Sequence, residues 1–241
     1  MINETEYGLG IYEGWHSHQN NHLAFVLNGG SREEHKSGFE FEELPGQLTF
    51  YRNNDLHRSI NTKPQTKIIN VEIENSFINQ YEIDIRTLNP QTLNTPNAKF
   101  SFLKLYKEAG NLDNSSVAGI HLLLLNILSC TDQKNVVKPI WLLKLIELLN
   151  DCWCENLSLI EISKIINVHP VTISKYFPRY FRLTLGEYIR NIRLEKAIVL
   201  VKTTNLSLTE ITHKCAFYDQ SHFIRHFKNA TGFLPNELRK R

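Results

Sequence analysis

Leu157-Ser158-Leu159-Ile160-Glu161-Ile162 recurs about 50 residues later as Leu206-Ser207-Leu208-Thr209-Glu210-Ile211. In each copy a Ser is followed three residues on by Glu, the signature of a capping box. There the Ser hydroxyl caps a free backbone N–H, and the Glu reaches back to the Ser N–H. The pattern predicts helices opening at Ser158 and Ser207. A short turn and a second apolar-periodic segment follow each, over Val171–Phe181 and Gln220–Ala230. Two copies make a duplication rather than a solenoid.

Around the pair, further helices are expected. Leu142, Leu145, Ile146 and Leu149 put one apolar face on Trp141–Cys154. His169-Pro170 opens the second helix of the first unit, since proline suits the first helical position. Glu187–Lys202 reads as a long spacer, with Tyr188, Ile192, Leu194, Ile198 and Val201 inside and Arg190, Arg193 and Lys196 outside. Asp219 caps the last long helix. Turns are expected at Asn167-Val168 and Ala216-Phe217.

Charge divides the chain. Residues 1–138 hold 12 Lys+Arg against 16 Asp+Glu, and residues 139–241 hold 15 against 9, within a net charge of +2. A basic half beside an acidic one points only the C-terminal half at a polyanion. With 241 residues and 41% hydrophobic content the chain supports one or two ordinary cores. Ile120–Leu128, the most apolar stretch, is too short to cross a bilayer. The acidic N-terminus does not read as a signal peptide. Cys130, Cys152, Cys154 and Cys215 form no CxxC pair, which fits a reducing cytoplasm.

The front reads as strands and turns. His22–Leu27 is a short apolar run stopped by Asn28-Gly29-Gly30, Phe39–Glu42 alternates, Pro45-Gly46 turns into Gln47–Tyr51, and Lys67–Glu74 alternates again. Many short strands at this spacing suggest a sandwich or small barrel. His16 and His18, two apart on an expected strand, point to one face. With six residues between His22 and Gly29, and Gly46, His57 and Asn61 following, the segment resembles the cupin superfamily. The usual Glu ligand position carries His22, and Arg52 and Asn54 replace the Pro and Gly expected there.

Two readings of these histidines follow. One is a small-ligand pocket lined by His16, His18, Phe25, Tyr51 and His57, as small barrels provide. The other is a divalent metal on His16, His18, His22 and His57, since imidazole suits Zn, Fe, Ni or Cu. The pocket is preferred and no cofactor is expected. In the middle, 89–97 reads as a loop and Lys99–Glu108 as a helix. Val117–Cys130, capped by Asp113 or Ser115, is apolar on more than one face, enough for packing inward and for pairing with a second copy. Asp132-Gln133-Lys134-Asn135 reads as a linker. The expected division is residues 1–95, 96–138 and 139–241.

Gly186-Glu187-Tyr188-Ile189-Arg190, Arg193-Leu194-Glu195-Lys196-Ala197 and Phe217–Lys228, with Gly232, Pro235 and Arg239, closely resemble the AraC/XylS family of bacterial transcription regulators over roughly the last 100 residues. The resemblance implies an α+β multidomain protein: a cupin-like β-barrel sensor, a helical linker, and an all-α domain with two helix-turn-helix motifs. Three departures stand out. Ala216 and Arg182 replace glycines, Ala216 being tolerable at negative φ, and Pro178 is expected to shorten the first recognition helix.

The implied function is sequence-specific binding of double-stranded promoter DNA. Base-edge candidates are Val171, Thr172, Ser174 and Lys175 in the first unit and Gln220, Ser221, His222 and Arg225 in the second. Arg179, Arg190 and Lys228 are phosphate candidates. A small-molecule effector, a homodimer, and RNA polymerase in the case of an activator are the implied partners, without a membrane. The alternative is a metal-dependent cupin enzyme fused to a DNA-binding domain. No Ser/His/Asp set, phosphate-binding Gly loop or paired-carboxylate cleft supports a hydrolase or NTPase, and no catalytic residue is assigned.

Overall fold

Every residue of β2 (Asn21–Asn28) except the last is buried, because the strand is covered on both faces. The computed structural model describes residues 1–8, 14–88, 93–110, 116–129 and 138–241. β2 sits inside an antiparallel four-stranded sheet, between β7 (Thr66–Ile73) and β5 (Leu48–Tyr51), with β1 (Ile2–Tyr7) beyond β7. A second sheet orders β4 (Glu40–Glu43), β3 (Ser31–His35) and β6 (His57–Ile60). Side chains alternate across a strand. His22, Ala24 and Val26 therefore face the space beside the second sheet, while Leu23, Phe25 and Leu27 face the helices. Gly29 and Gly30 hold φ of 76° and 114° in the β2–β3 turn, and a Cβ on Gly30 would lie 2.0 Å from the Glu43 carbonyl oxygen.

Helices follow: α1 (Asn75–Gln80), α2 (Pro96–Ala109), α3 (Ser116–Ser129), α4 (Ile140–Asp151), α5 (Leu159–Ile166), α6 (Pro170–Phe181), α7 (Leu185–Thr203), α8 (Leu208–Lys214), α9 (Gln220–Thr231) and α10 (Pro235–Lys240). The mixed α+β organisation matches the expectation. Both capping boxes form, Ser158 with Glu161 and Ser207 with Glu210. A third, Thr184 with Glu187, starts α7. The leucine-rich α3 buries Leu124, Ile127 and Leu128 and leaves Leu122 61% exposed. Asp113, Ser115, Cys130 and the 132–135 linker lie outside the described residues.

Two cores result. One is continuous from β2 and β7 through α2 and α3 into α7, α8, α9 and α10, so Phe25 and Phe102 share it with Phe223, Phe227 and Phe233. The other is confined to Leu142, Leu145 and Leu149 of α4, Ile162 and Ile166 of α5, Ile173 and Phe177 of α6, and Ile192 of α7. Among the described residues, the second helical unit thus shares a buried core with the N-terminal half, and the first does not. Lys99–Glu195 at 2.7 Å and Lys107–Glu237 at 3.3 Å lie along the α2 side of that contact.

Four expectations are corrected. His16 and His18 do not lie on a strand; only an isolated bridge from His16 to His57 forms there. Pro178 does not end its helix, which runs on to Phe181. A mid-helix proline costs about 3 kcal/mol. Here Phe177, Phe181 and Tyr188, with ring centroids 4.6–5.2 Å apart, hold the last turn in place. Ala216 adopts φ of 52°, not a negative value, and Arg182 adopts 58°. Arg193 is not a solvated charge but a buttress, described below.

Candidate nucleic-acid interface and ligand cavity

In the C-terminal half each unit presents one helix whose buried stripe leaves a polar face outward. In α6, Ile173 and Phe177 go to the core, and Val171, Ser174, Lys175 and Arg179 are exposed, with Thr172 partly so. His169 caps this helix through Nδ1, which accepts from the Val171 N–H at 3.3 Å. The Arg179 guanidinium lies 4.8 Å over the Tyr176 ring, which is itself exposed. In α9, Phe223 and Phe227 are buried while Ser221, Arg225 and Lys228 are exposed. Asp219 caps it at the His222 N–H, 2.7 Å away. Gln220 is exposed, and its Oε1 accepts from Thr209 Oγ1 at 2.9 Å, which ties the helix start to α8.

His222 is placed differently from its neighbours. Its ring is packed 4.4 Å from His226 and 5.9 Å from Phe217, and its Nδ1 is buried without a hydrogen-bond partner. Arg190 is also half-buried, lining the groove between the two units as well as the junction of α2, α7 and α9. Both positions are less open to a duplex than the sequence suggests. Tyr218, 91% exposed just ahead of the α9 cap, was not marked by any periodic signal.

Arg193 sets how the units meet. Its Nε donates to the Trp153 carbonyl at 3.0 Å, Nη1 to the Ala216 carbonyl at 2.8 Å, and Nη2 to the Glu155 carbonyl at 2.8 Å and to Asn156 Oδ1 at 3.1 Å. One guanidinium thereby binds the segment after α4 to the turn of the second unit. Arg239 acts similarly on a smaller scale, donating to the Val201 and Leu206 carbonyls.

The N-terminal half holds a cavity of about 610 Å³ between its sheets, lined among others by Asn3, Tyr7, Trp15, His16, His18, His22, Glu33, Glu43, Tyr51, His57 and Asn70. Of the expected lining residues, His16, His18, Tyr51 and His57 converge there. Phe25 does not. It is 1% exposed on the opposite face of β2, stacked 5.5 Å from Phe102. The odd–even alternation of β2 that places His22 in the cavity turns Phe25 away from it.

His16, His18 and His57 each offer a ligand atom within 4.8 Å of the others, a set able to hold a metal. His22 stands just behind, its ring 4.3 Å from that of His18 and stacked 4.6 Å from Tyr51. Burial, together with the nearby His18, His57 and His16, lowers the His22 pKa to about 3, so this imidazole is neutral. Sequence reading missed the acids opposite. Tyr51 Oη donates to Glu43 Oε1 at 2.8 Å, and Ser31 Oγ bridges Glu43 and Glu33 at 3.2 Å to each. Burial, with the adjacent Glu33 charge, pushes Glu43 up to about 7. The signal was present, because Phe41 and Glu43 are two apart in β4 and share its inward face.

Residues 162–241 match the family model described as a helix-turn-helix domain. The matched segment runs from within α5 to residue 241. Its resemblance to AraC/XylS regulators is borne out by the relatives that align with it. The uncharacterized HTH-type transcriptional regulator YpdC of Escherichia coli is 28% identical over 93 residues, covering 39% of this chain and 33% of that protein. The HTH-type transcriptional activator RhaS of Escherichia fergusonii is 24% identical over 246 residues, covering 98% of this chain and 83% of its own. The chain spans about a third of the length of the first curated relatives it matches. Among solved structures, ToxT of Vibrio cholerae aligns with 99% of this chain and 97% of its own, at 13% identity and a TM-score of 0.41. The helix-turn-helix domain contains α6 and α9 entire, and with them every residue named above as a base or phosphate candidate. Among the described residues no helix is long and apolar enough to cross a membrane.

Proposed function

We propose that the chain is a sequence-specific, DNA-binding transcription regulator whose N-terminal cavity takes a small effector. The observation that carries this reading is the pair of capped helices α6 and α9, each exposing a polar face from a matched helix-turn-helix domain. In this reading the two helices enter successive major-groove segments about 34 Å apart. Arg225 and Gln220 read bases in the second unit; Val171, Thr172, Ser174 and Lys175 do so in the first, with Ser221 contributing. Arg179 and Lys228 hold phosphates. His222 and Arg190 enter as candidates that would need a side-chain rearrangement to reach the duplex.

The 1–95 segment, a cupin-like barrel in this reading, is the sensor, 96–138 the linker, and 139–241 the DNA-binding part. Effector binding biases the orientation of the units, which requires different effector affinities in two states. Support for that coupling is the shared core that joins the cavity-bearing sheet to the second unit but not to the first. The exposed Leu122 face of α3 is the proposed homodimer contact, and an activator would also meet RNA polymerase. The setting is cytoplasmic. Capture of genomic fragments by the full chain, followed by affinity measurement on each fragment with and without small molecules, tests the proposal. Selective binding supports it, and equal affinity for every fragment opposes it.

A further inference from the structure

We infer that the cavity of the N-terminal half takes a small organic cation, through a primary ammonium group seated against the buried carboxylates of Glu33 and Glu43. The inference deepens the effector reading above and rests on it only for the ligand's role as the species sensed. Ser31 and Glu33, two apart in β3, share one face of the second sheet. The register sets Ser31 opposite Glu43 of β4 and Glu33 opposite Ser59 of β6. Both acids line the cavity, and each is only 1% exposed. A buried charge is costly unless an opposite charge and a full set of hydrogen bonds compensate it.

Neither compensation is complete. Among the described residues the cavity wall carries the carboxylates of Glu33, Glu43 and Glu72, and no Lys or Arg. Lys36 and Arg58 each lie 4.6 Å over the Trp15 ring, and Arg58 Nε donates to Glu34 Oε2 at 2.7 Å, so both are committed outside the acid pair. Hydrogen bonds fall short as well. The Ser31 hydroxyl stands 3.2 Å from Glu33 Oε1 and from Glu43 Oε2, and its one proton serves one acid at a time. Ser59 donates to Glu33 Oε1 and Tyr51 to Glu43 Oε1. Glu33 Oε2 is buried with no hydrogen-bond partner. A second group points to the same ligand. On the facing sheet His22 also lines the cavity, and its Nδ1 is buried without a partner, able to accept one further N–H. The site thus lacks a positive charge and N–H donors. An ammonium supplies the charge and three donors, and its hydrogen bonds to carboxylates are about twice as strong as neutral ones.

Calorimetric titration of the full chain with butylamine and with ethanolamine, each against its alcohol counterpart (butanol and ethylene glycol), tests the assignment. At least one amine should bind at least about 10-fold more tightly than its alcohol. Glu33→Gln keeps the shape and removes the charge. It should weaken amine binding by about 10-fold or more, leave alcohol binding as it was, and keep the far-ultraviolet circular dichroism of the wild type. Glu43→Gln should act likewise, and it remains decisive if Glu33→Gln fails to fold. Amines that bind no better than their alcohols overturn the inference. So does amine binding that survives both substitutions. Displacement of the amine by calcium chloride at equal concentration also overturns it, since the acids would then hold a hard metal ion. Binding to genomic fragments, measured on the same samples, separates the two readings. Selective DNA binding without amine binding ends the cation site and leaves the regulator standing; amine binding without selective DNA binding does the reverse.

Discussion

Arg193 Nη1 donates to the Ala216 carbonyl at 2.8 Å, and the residue it holds has φ of 52°. A left-handed alanine is thus held in the turn between α8 and α9 by a guanidinium that also grips the segment after α4. Three of its four contacts are to backbone carbonyls, which makes Arg193 a structural joint between the units rather than a DNA contact. Hydrogen bonds involving a charged group contribute about 1.5–3 kcal/mol each when buried, and fewer survive where water competes.

Arg193→Ala should lower stability by about 2–4 kcal/mol, read as a shift in the urea midpoint, and weaken DNA binding with it. Arg193→Lys should recover little of either, because one ammonium cannot replace a fork reaching three carbonyls. Full recovery by lysine would show that charge alone matters at this joint.

Ala216→Gly should stabilise the chain. A left-handed L-residue costs about 1–2 kcal/mol, part of which glycine returns through its freer unfolded state. A net gain of about 0.5–1 kcal/mol is expected, measured by thermal unfolding. A loss of stability would mean that the φ at this turn is negative in solution.

Much of this arrangement was legible in the sequence, and the misses have physical causes. The capping boxes at Ser158 and Ser207 are local chemistry, readable from four residues, and the box at Thr184 is equally local. Pro178 reads as a helix end by propensity, but the Phe177–Phe181–Tyr188 cluster overrides it, and tertiary contacts of that kind leave no local trace. Phe25 was misplaced because a strand buried on both faces shows no alternation to say which side is the cavity. His16 and His18 line the cavity, but irregular backbone rather than a strand brings them to His57. The sharing of one core between the sheet and the second unit depends on long-range packing that periodicity does not encode.

Glu43 gives a pH dependence. Its carboxyl is held near 7 in the folded chain against an ordinary 4.5. The folded state therefore binds more protons between those values, so the stability Glu43 contributes below pH 4.5 is lost as pH rises to 7. Glu43→Gln, which keeps an acceptor for Tyr51, removes that loss. The variant should gain on the wild type as pH rises from 4.5 to 7, by on the order of 3 kcal/mol across the window. A wild-type-minus-variant difference that stays flat with pH would show that Glu43 titrates normally.

Phe25→Ala separates packing from ligand binding. The side chain is fully buried against Phe102, so its removal should cost about 3–5 kcal/mol of stability. Below its lowered melting temperature the variant should keep the effector affinity of the wild type. A selective loss of affinity in folded protein would return Phe25 to the cavity.

The DNA-facing assignments divide into two behaviours. Arg225→Ala should cost about 1–3 kcal/mol on the preferred sequence and relax choice at one base pair, while leaving other sequences little changed. Lys228→Ala should weaken binding to every sequence alike and reduce the salt slope by about one.

The account is tested most directly by titrating the full chain onto a captured genomic fragment and onto a shuffled copy of it across a range of salt concentrations. It predicts at least about a 1000-fold preference for the genuine fragment. It also predicts that the logarithm of affinity falls linearly with the logarithm of salt. Equal affinity for the two DNAs, or an affinity indifferent to salt, would contradict it.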